Sequence, residues 1–125
     1  MIKLLLIGLG SAIGGIVRYL LSNMISESTS SVFPWGTFVV NVIGCFIIGL
    51  IYGAVDSGAG ISANTRLFLT VGFCGGFTTF STFAHENYLL FTSGSVLTVA
   101  AYGALSFFVG IVMAYAGHAV IKTVL

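Results

Sequence analysis

The stretch Val71-Gly72-Phe73-Cys74-Gly75-Gly76-Phe77-Thr78-Thr79-Phe80-Ser81-Thr82-Phe83 crowds three glycines and four hydroxyl-bearing residues into the middle of a hydrophobic run. Glycine costs up to about 1 kcal/mol in a helix interior and β-branched threonine a few tenths. Their accumulation predicts an interruption of the helix; the plainer alternative is a continuous helix whose Gly/Thr face packs on a neighbour. Unwound backbone inside a bilayer is tolerated only where protein or a water-filled cavity satisfies its N–H and C=O groups. Carbonyls freed by a break can hold a cation, and the half-helix that follows points its positive N-terminal end at an anion. Thr78 or Thr79 is the expected N-cap of that second half.

Other polar residues sit inside apolar segments. Asn41, flanked by Val39-Val40 and Val42-Ile43, can donate two hydrogen bonds, which suits a small anion; interhelical glue is the competing reading. Thr37, four residues earlier, shares its helix face. Tyr102, Ser106 and Gly110 recur every four residues, so two hydroxyls on one stripe either extend a polar path or simply pack. Phe77, Phe80 and Phe83 recur at helical spacing. Such a stripe is core or lipid-facing surface unless its electropositive ring edges line an anion's route. Arg18 lies about 21 Å along its helix from Leu4, placed to snorkel to the far interface or to lend positive potential to a vestibule. Glu86, beside His85, follows the Gly/Thr run. An intramembrane carboxylate is the usual handle for proton coupling, but a position near an interface weakens that role. His118 is expected at an interface. Cys45 and Cys74 lack metal-ligand spacing and read as small packing residues. Ser81 and His85 are four apart, yet no nucleophile elbow or third orienting group accompanies them, so catalysis is not expected.

The elements that must position these residues follow from composition. Of 125 residues, 58% are hydrophobic and 6% charged, and the mean hydropathy is +1.14. Soluble domains carry about 25% charged residues, so this chain has no means of forming a wetted surface. A span needs about 20 apolar residues, and the chain divides into a single transmembrane domain of four, at approximately 4–21, 37–55, 67–91 and 96–121. Met1-Ile2-Lys3 before an apolar run resembles a secretory signal, but Gly8 to Leu21 continues without a small-residue cleavage site, so a first span is expected. The net charge is +1 and the four basic residues never cluster, which argues against nucleic acid as a partner. Lys3, Arg66 and Lys122 fall on one side and Arg18 alone on the other, a weak bias that leaves both orientations open. Gly10/Gly14, Gly49/Gly53 and Gly72/Gly76 are G-x-x-x-G pairs, which serve either dimerisation or packing within one chain. Four spans are too few to enclose a polar path comfortably, so assembly is expected.

Gly36-Thr37-Phe38-Val39-Val40-Asn41 and the run from Gly72 to Phe83 closely resemble the two signature stretches of the Fluc (CrcB-type) fluoride channels. The similarity extends over essentially the whole chain, including Gly-x-x-x-Arg18 and Glu86. It implies an all-α membrane protein of four helices, the third broken near the midplane, assembled as an antiparallel, dual-topology homodimer with two fluoride pores. It further implies a structural sodium ion at the dimer centre, held by backbone carbonyls of Gly75 and Thr78. The family's stacked phenylalanines fall on Phe80 and Phe83, its pore-facing asparagine on Asn41, with Thr37 on the same face, and its polar track on Tyr102 and Ser106. Gly110 departs from that track, where many relatives carry a hydroxyl. The implied activity is passive fluoride efflux across a bacterial plasma (inner) membrane. The alternative is a proton-coupled small transporter. A multidrug exporter of that kind needs a carboxylate within the first helix, which carries Arg18 and no acid; a fluoride exporter would use Glu86.

Overall fold

The computed structural model describes all residues, 1–125, and is all-helical. Helix α1 spans Ile2–Glu27, α2 Trp35–Asp56 and α6 Val96–Val124. Between them the third span, Ala63–Thr92, is assembled from four pieces. These are α3 (Ala63–Leu67), a π-helical segment (Phe68–Cys74), the single turn α4 (Gly75–Phe77) and, beyond a break, α5 (Phe80–Thr92). All four spans are long and apolar enough to cross a membrane, and the protein is a multi-pass membrane protein. Helical geometry outlasts the apolar runs: α1 continues through the serine-rich stretch after Leu21 as far as Glu27.

Close backbone approach explains the glycine pairs. A Cβ at Gly10 would lie 2.7 Å from the Phe68 carbonyl oxygen, and one at Gly14 would land on that of Phe73. Gly72 faces the Gly10 Cα, and Gly76 faces the Ser11 backbone. Helix α1 therefore lies directly along the π-helical segment and α4. Gly49 meets the Ala114 backbone and Gly53 that of His118, while Gly117 of α6 meets Phe46, so α2 and α6 form a second tight pair. Of the two uses open to these G-x-x-x-G pairs, all three serve packing within the chain. In lipid, where apolar burial gives little drive between helices, such contact supplies much of the association energy.

The third span is interrupted, but at the threonines rather than the glycines. Gly72 is π-helical, and Gly75 and Gly76 are α-helical. The extended residues are Thr78 (φ −90°, ψ 157°) and Thr79 (φ −150°, ψ 119°). β-Branched residues favour extended backbone, and Thr79 caps α5 by accepting the Thr82 N–H at 3.2 Å. The extended pair also resets the helical phase. Phe77 turns inward, 2% exposed, to stack on Phe73 with centroids 5.4 Å apart, and leaves the stripe that spacing had joined to Phe80 and Phe83.

Candidate functional site

The break is held open by Asn41. Its Oδ1 accepts the Thr79 N–H at 2.9 Å, and its Nδ2 donates to the Thr79 carbonyl at 3.2 Å. One amide thus satisfies both backbone groups of the most extended residue, and of its two N–H donors only one remains. In a continuous helix the Thr79 N–H would bond the Gly75 carbonyl, and the Thr82 N–H that of Thr78. Both N–H groups are diverted, to Asn41 and to the Thr79 hydroxyl. The carbonyls of Gly75 and Thr78 are thereby released from the helical ladder. The Gly76 carbonyl accepts instead from Arg18 Nε at 3.2 Å. Arg18 therefore does not reach for the far interface: a cation at the C-terminal end of the first half-helix complements its negative dipole end.

A cavity of about 780 Å³ opens beside the break. Asn41, Gly75, Thr78, Phe80, Phe83 and Ser106 all line it, so the fold brings together six residues proposed from sequence. Phe80 is 78% exposed on the open flank of the groove. Its ring lies 5.6 Å from that of Phe83, which in turn lies 4.7 Å from Tyr102. Ser106 Oγ is buried without a hydrogen-bond partner. Gly110, the next position of the α6 stripe, is buried against α2; a Cβ there would meet Cys45 Sγ at 3.3 Å. Sulfur, not hydroxyl, faces that end of the stripe.

A second polar cluster lies along α5 toward its C-terminal end. Thr37 Oγ1 donates to Glu86 Oε2 at 2.9 Å, and Tyr102 Oη donates to Glu86 Oε1 at 2.9 Å. Tyr102 is completely buried and Thr37 nearly so, whereas Glu86 is half-buried. Hydroxyl bonds to a carboxylate are the strong, charge-assisted kind, so this triad ties α2, α5 and α6 together. It also engages the only proton each hydroxyl can donate. The spacing of Tyr102 left a polar path and simple packing open, and it linked neither Tyr102 nor Thr37 to Glu86. Asn87 escaped notice altogether: its Nδ2 donates to Phe83 O at 3.0 Å, and its Oδ1 is buried without a partner. An amide inside an apolar segment was the available signal. His118 is not an idle interfacial residue either, since its Nε2 lies 2.9 Å from Asp56 Oδ2.

A family model described as CrcB-like protein, Camphor Resistance (CrcB), matches residues 5–118. The chain belongs to the CrcB-like family. Among relatives of this CrcB-like chain, a Flavobacterium psychrophilum protein named fluoride-specific ion channel FluC is 38% identical over 93% of this chain and 94% of its own. One of the same name from Phocaeicola vulgatus is 50% identical over 74% of this chain and 75% of its own. Clostridium acetobutylicum FluC 2 is 44% identical over 90% and 92% respectively.

Proposed function

We propose that this chain is a fluoride-selective channel of a bacterial plasma membrane, passing fluoride outward down its gradient, and that it works as an antiparallel homodimer with two pores. The observation that carries this reading is the groove beside the broken span. Polar backbone, one amide, an orphaned serine hydroxyl and three phenylalanine rings, those of Phe80, Phe83 and Phe107, converge there, and no full positive charge does. Such a lining strips water from a small anion without trapping it, because aromatic edges and neutral donors attract less strongly than an ammonium or guanidinium. Family membership, with relatives named as fluoride-specific channels, supplies the identity of the anion.

The groove is open on one flank, where Phe80 is largely exposed. A second copy supplies the missing wall, and an antiparallel copy gives two equivalent grooves. The released carbonyls of Gly75 and Thr78 are uncharged oxygen donors of the kind that hold Na⁺ at unwound membrane helices. They fit a sodium ion shared between copies, which would hold the two breaks together. Asn41 keeps the break extended, Phe80 and Phe83 present ring edges, and Ser106 offers a hydroxyl. The Thr37–Glu86–Tyr102 triad marks one mouth of the path, with Arg18 behind the break on the α1 side.

The deciding experiment is fluoride-electrode recording on purified protein in liposomes, with chloride as the control anion. A channel gives fast fluoride efflux that requires a potassium-ionophore shunt and is indifferent to an imposed pH gradient. Efflux that needs the pH gradient would instead assign a proton-coupled exporter acting through Glu86, and absence of flux would leave only a structural subunit.

A further inference from the structure

A second cavity, of about 510 Å³, lies at the membrane face where α1 and α3 begin and α2 ends. Lys3, Arg66 and Tyr52 line it together with Leu67, Thr70 and Val71. It adjoins the ion groove through Thr70, which lines both, but its basic residues lie at the membrane face: Arg66 precedes Gly75 by nine residues, about 13 Å of helix. Two of the chain's four basic residues, one near the N-terminus and one mid-chain, meet here, and no carboxylate lines the pocket with them. Asp56, the acid nearest to Tyr52 on α2, is hydrogen-bonded to His118 instead. Lys3 and Arg66 are exposed, and Tyr52 is 46% exposed.

The position fixes the ligand chemistry. All three polar groups sit within the terminal turns of spans, the depth of the phospholipid headgroups. Lysine offers a mobile point charge, arginine a planar fork that grips two phosphate oxygens, and tyrosine a phenolic donor. Leu67 and Val71, the latter 51% exposed, continue the wall from that level down into the hydrocarbon, where an acyl chain would lie. A soluble phosphate would use only the upper half of this surface. We infer that the pocket formed by Lys3, Tyr52 and Arg66 is a binding site for the phosphodiester headgroup of an anionic phospholipid. Basic pockets between spans at a membrane face are suited to such lipids.

The test is native mass spectrometry of the purified protein in detergent, titrated with phosphatidylglycerol, with phosphatidylcholine of the same chains, and separately with inorganic phosphate. Wild type is expected to hold phosphatidylglycerol preferentially, and the preference should fall about five-fold for each cation removed in Lys3→Gln and Arg66→Gln. The charge-preserving variants Lys3→Arg and Arg66→Lys should lose less of it than the glutamine variants, which separates loss of the site from loss of fold. Fluoride efflux of the charge-removed variants should match wild type, so failure here is distinguishable from failure of the channel reading. Equal binding of the two lipids by wild type would overturn the inference. So would an undiminished preference in the double glutamine variant, or displacement of the lipid by millimolar inorganic phosphate.

Discussion

Replacing Asn41 separates two roles that the structure assigns to one side chain. In Asn41→Ala the Thr79 N–H and C=O both lose their partner, each held at 2.9 and 3.2 Å in the native protein. A fully buried polar group left without a partner costs about 1–3 kcal/mol; Thr79 is half-buried and lines the groove, so the two together cost about that much. That is a large fraction of the 5–15 kcal/mol typical of a folded domain. In Asn41→Asp an oxygen still accepts the Thr79 N–H, but the second carboxylate oxygen faces the Thr79 carbonyl, acceptor against acceptor, so stability falls here as well. The carboxylate, however, adds a negative charge beside the groove. At about 6 Å from a passing anion and an effective dielectric near 20, the repulsion is about 3 kcal/mol, roughly a hundred-fold in rate. The two variants should therefore differ in conduction more than in stability. Both melt lower than wild type in detergent, as followed by tryptophan fluorescence, while Asn41→Asp conducts less per folded protein in liposomes than Asn41→Ala. If both variants melt and conduct like wild type, Asn41 neither holds the break nor borders the ion path.

Phe80→Ile and Phe83→Ile should each cripple fluoride efflux while the protein keeps its oligomeric size on a sizing column; normal flux in both removes the ring-edge argument. Gly14→Ala should destabilise by about 1–3 kcal/mol, because its methyl meets the Phe73 backbone. Gly110→Ala should be milder, since its methyl meets a side-chain sulfur at 3.3 Å; equal melting temperatures for the two would contradict the packing. Tyr102→Phe removes one of the two hydroxyls on Glu86, at a cost of about 1.5–3 kcal/mol, read as a lower melting temperature. Replacing Na⁺ with N-methylglucamine during purification should reduce dimer stability and efflux together. A dimer equally stable without sodium would release Gly75 and Thr78 from that role.

The interruption of the third span was visible in its residue types, but its position was not. Helix propensity, learned from water, counts Gly75 and Gly76 as the weakest helix formers. In the folded chain Gly76 stays helical against the Ser11 backbone of α1, a close approach that outweighs the propensity penalty, and the exposed Gly75 continues the same turn. Thr78 and Thr79 yield instead, since their hydroxyls and branched Cβ atoms favour a capped, extended pair. Asn41 announced itself as a buried amide, yet its partner lies 38 residues away, beyond any local pattern. The same holds for Arg18, whose donation to Gly76 spans 58 residues. Phe77 was misplaced for a simpler reason: a periodicity argument cannot carry across two extended residues whose existence it does not anticipate.

The hydrogen bonds around the path bear on which anion it would pass. Thr37 and Tyr102 each have one proton to donate, and both protons are directed at Glu86. In the proposed channel, an anion at this mouth would obtain those donors only by displacing a carboxylate oxygen from them. Fluoride, the smallest halide, concentrates its charge enough to compete with a carboxylate for a hydroxyl proton; chloride, larger and more diffuse, accepts hydrogen bonds far more weakly. The exchange also returns the hydroxyls to Glu86 once the anion moves on, so a strong contact need not become a trap. On this reasoning Thr37→Val with Tyr102→Phe should narrow the gap between fluoride and chloride by slowing fluoride and leaving chloride flux near background. Paired electrode recordings on the same liposome preparation measure both. An unchanged fluoride rate in the double variant would show that the anion passes this mouth without ever drawing on its hydroxyls.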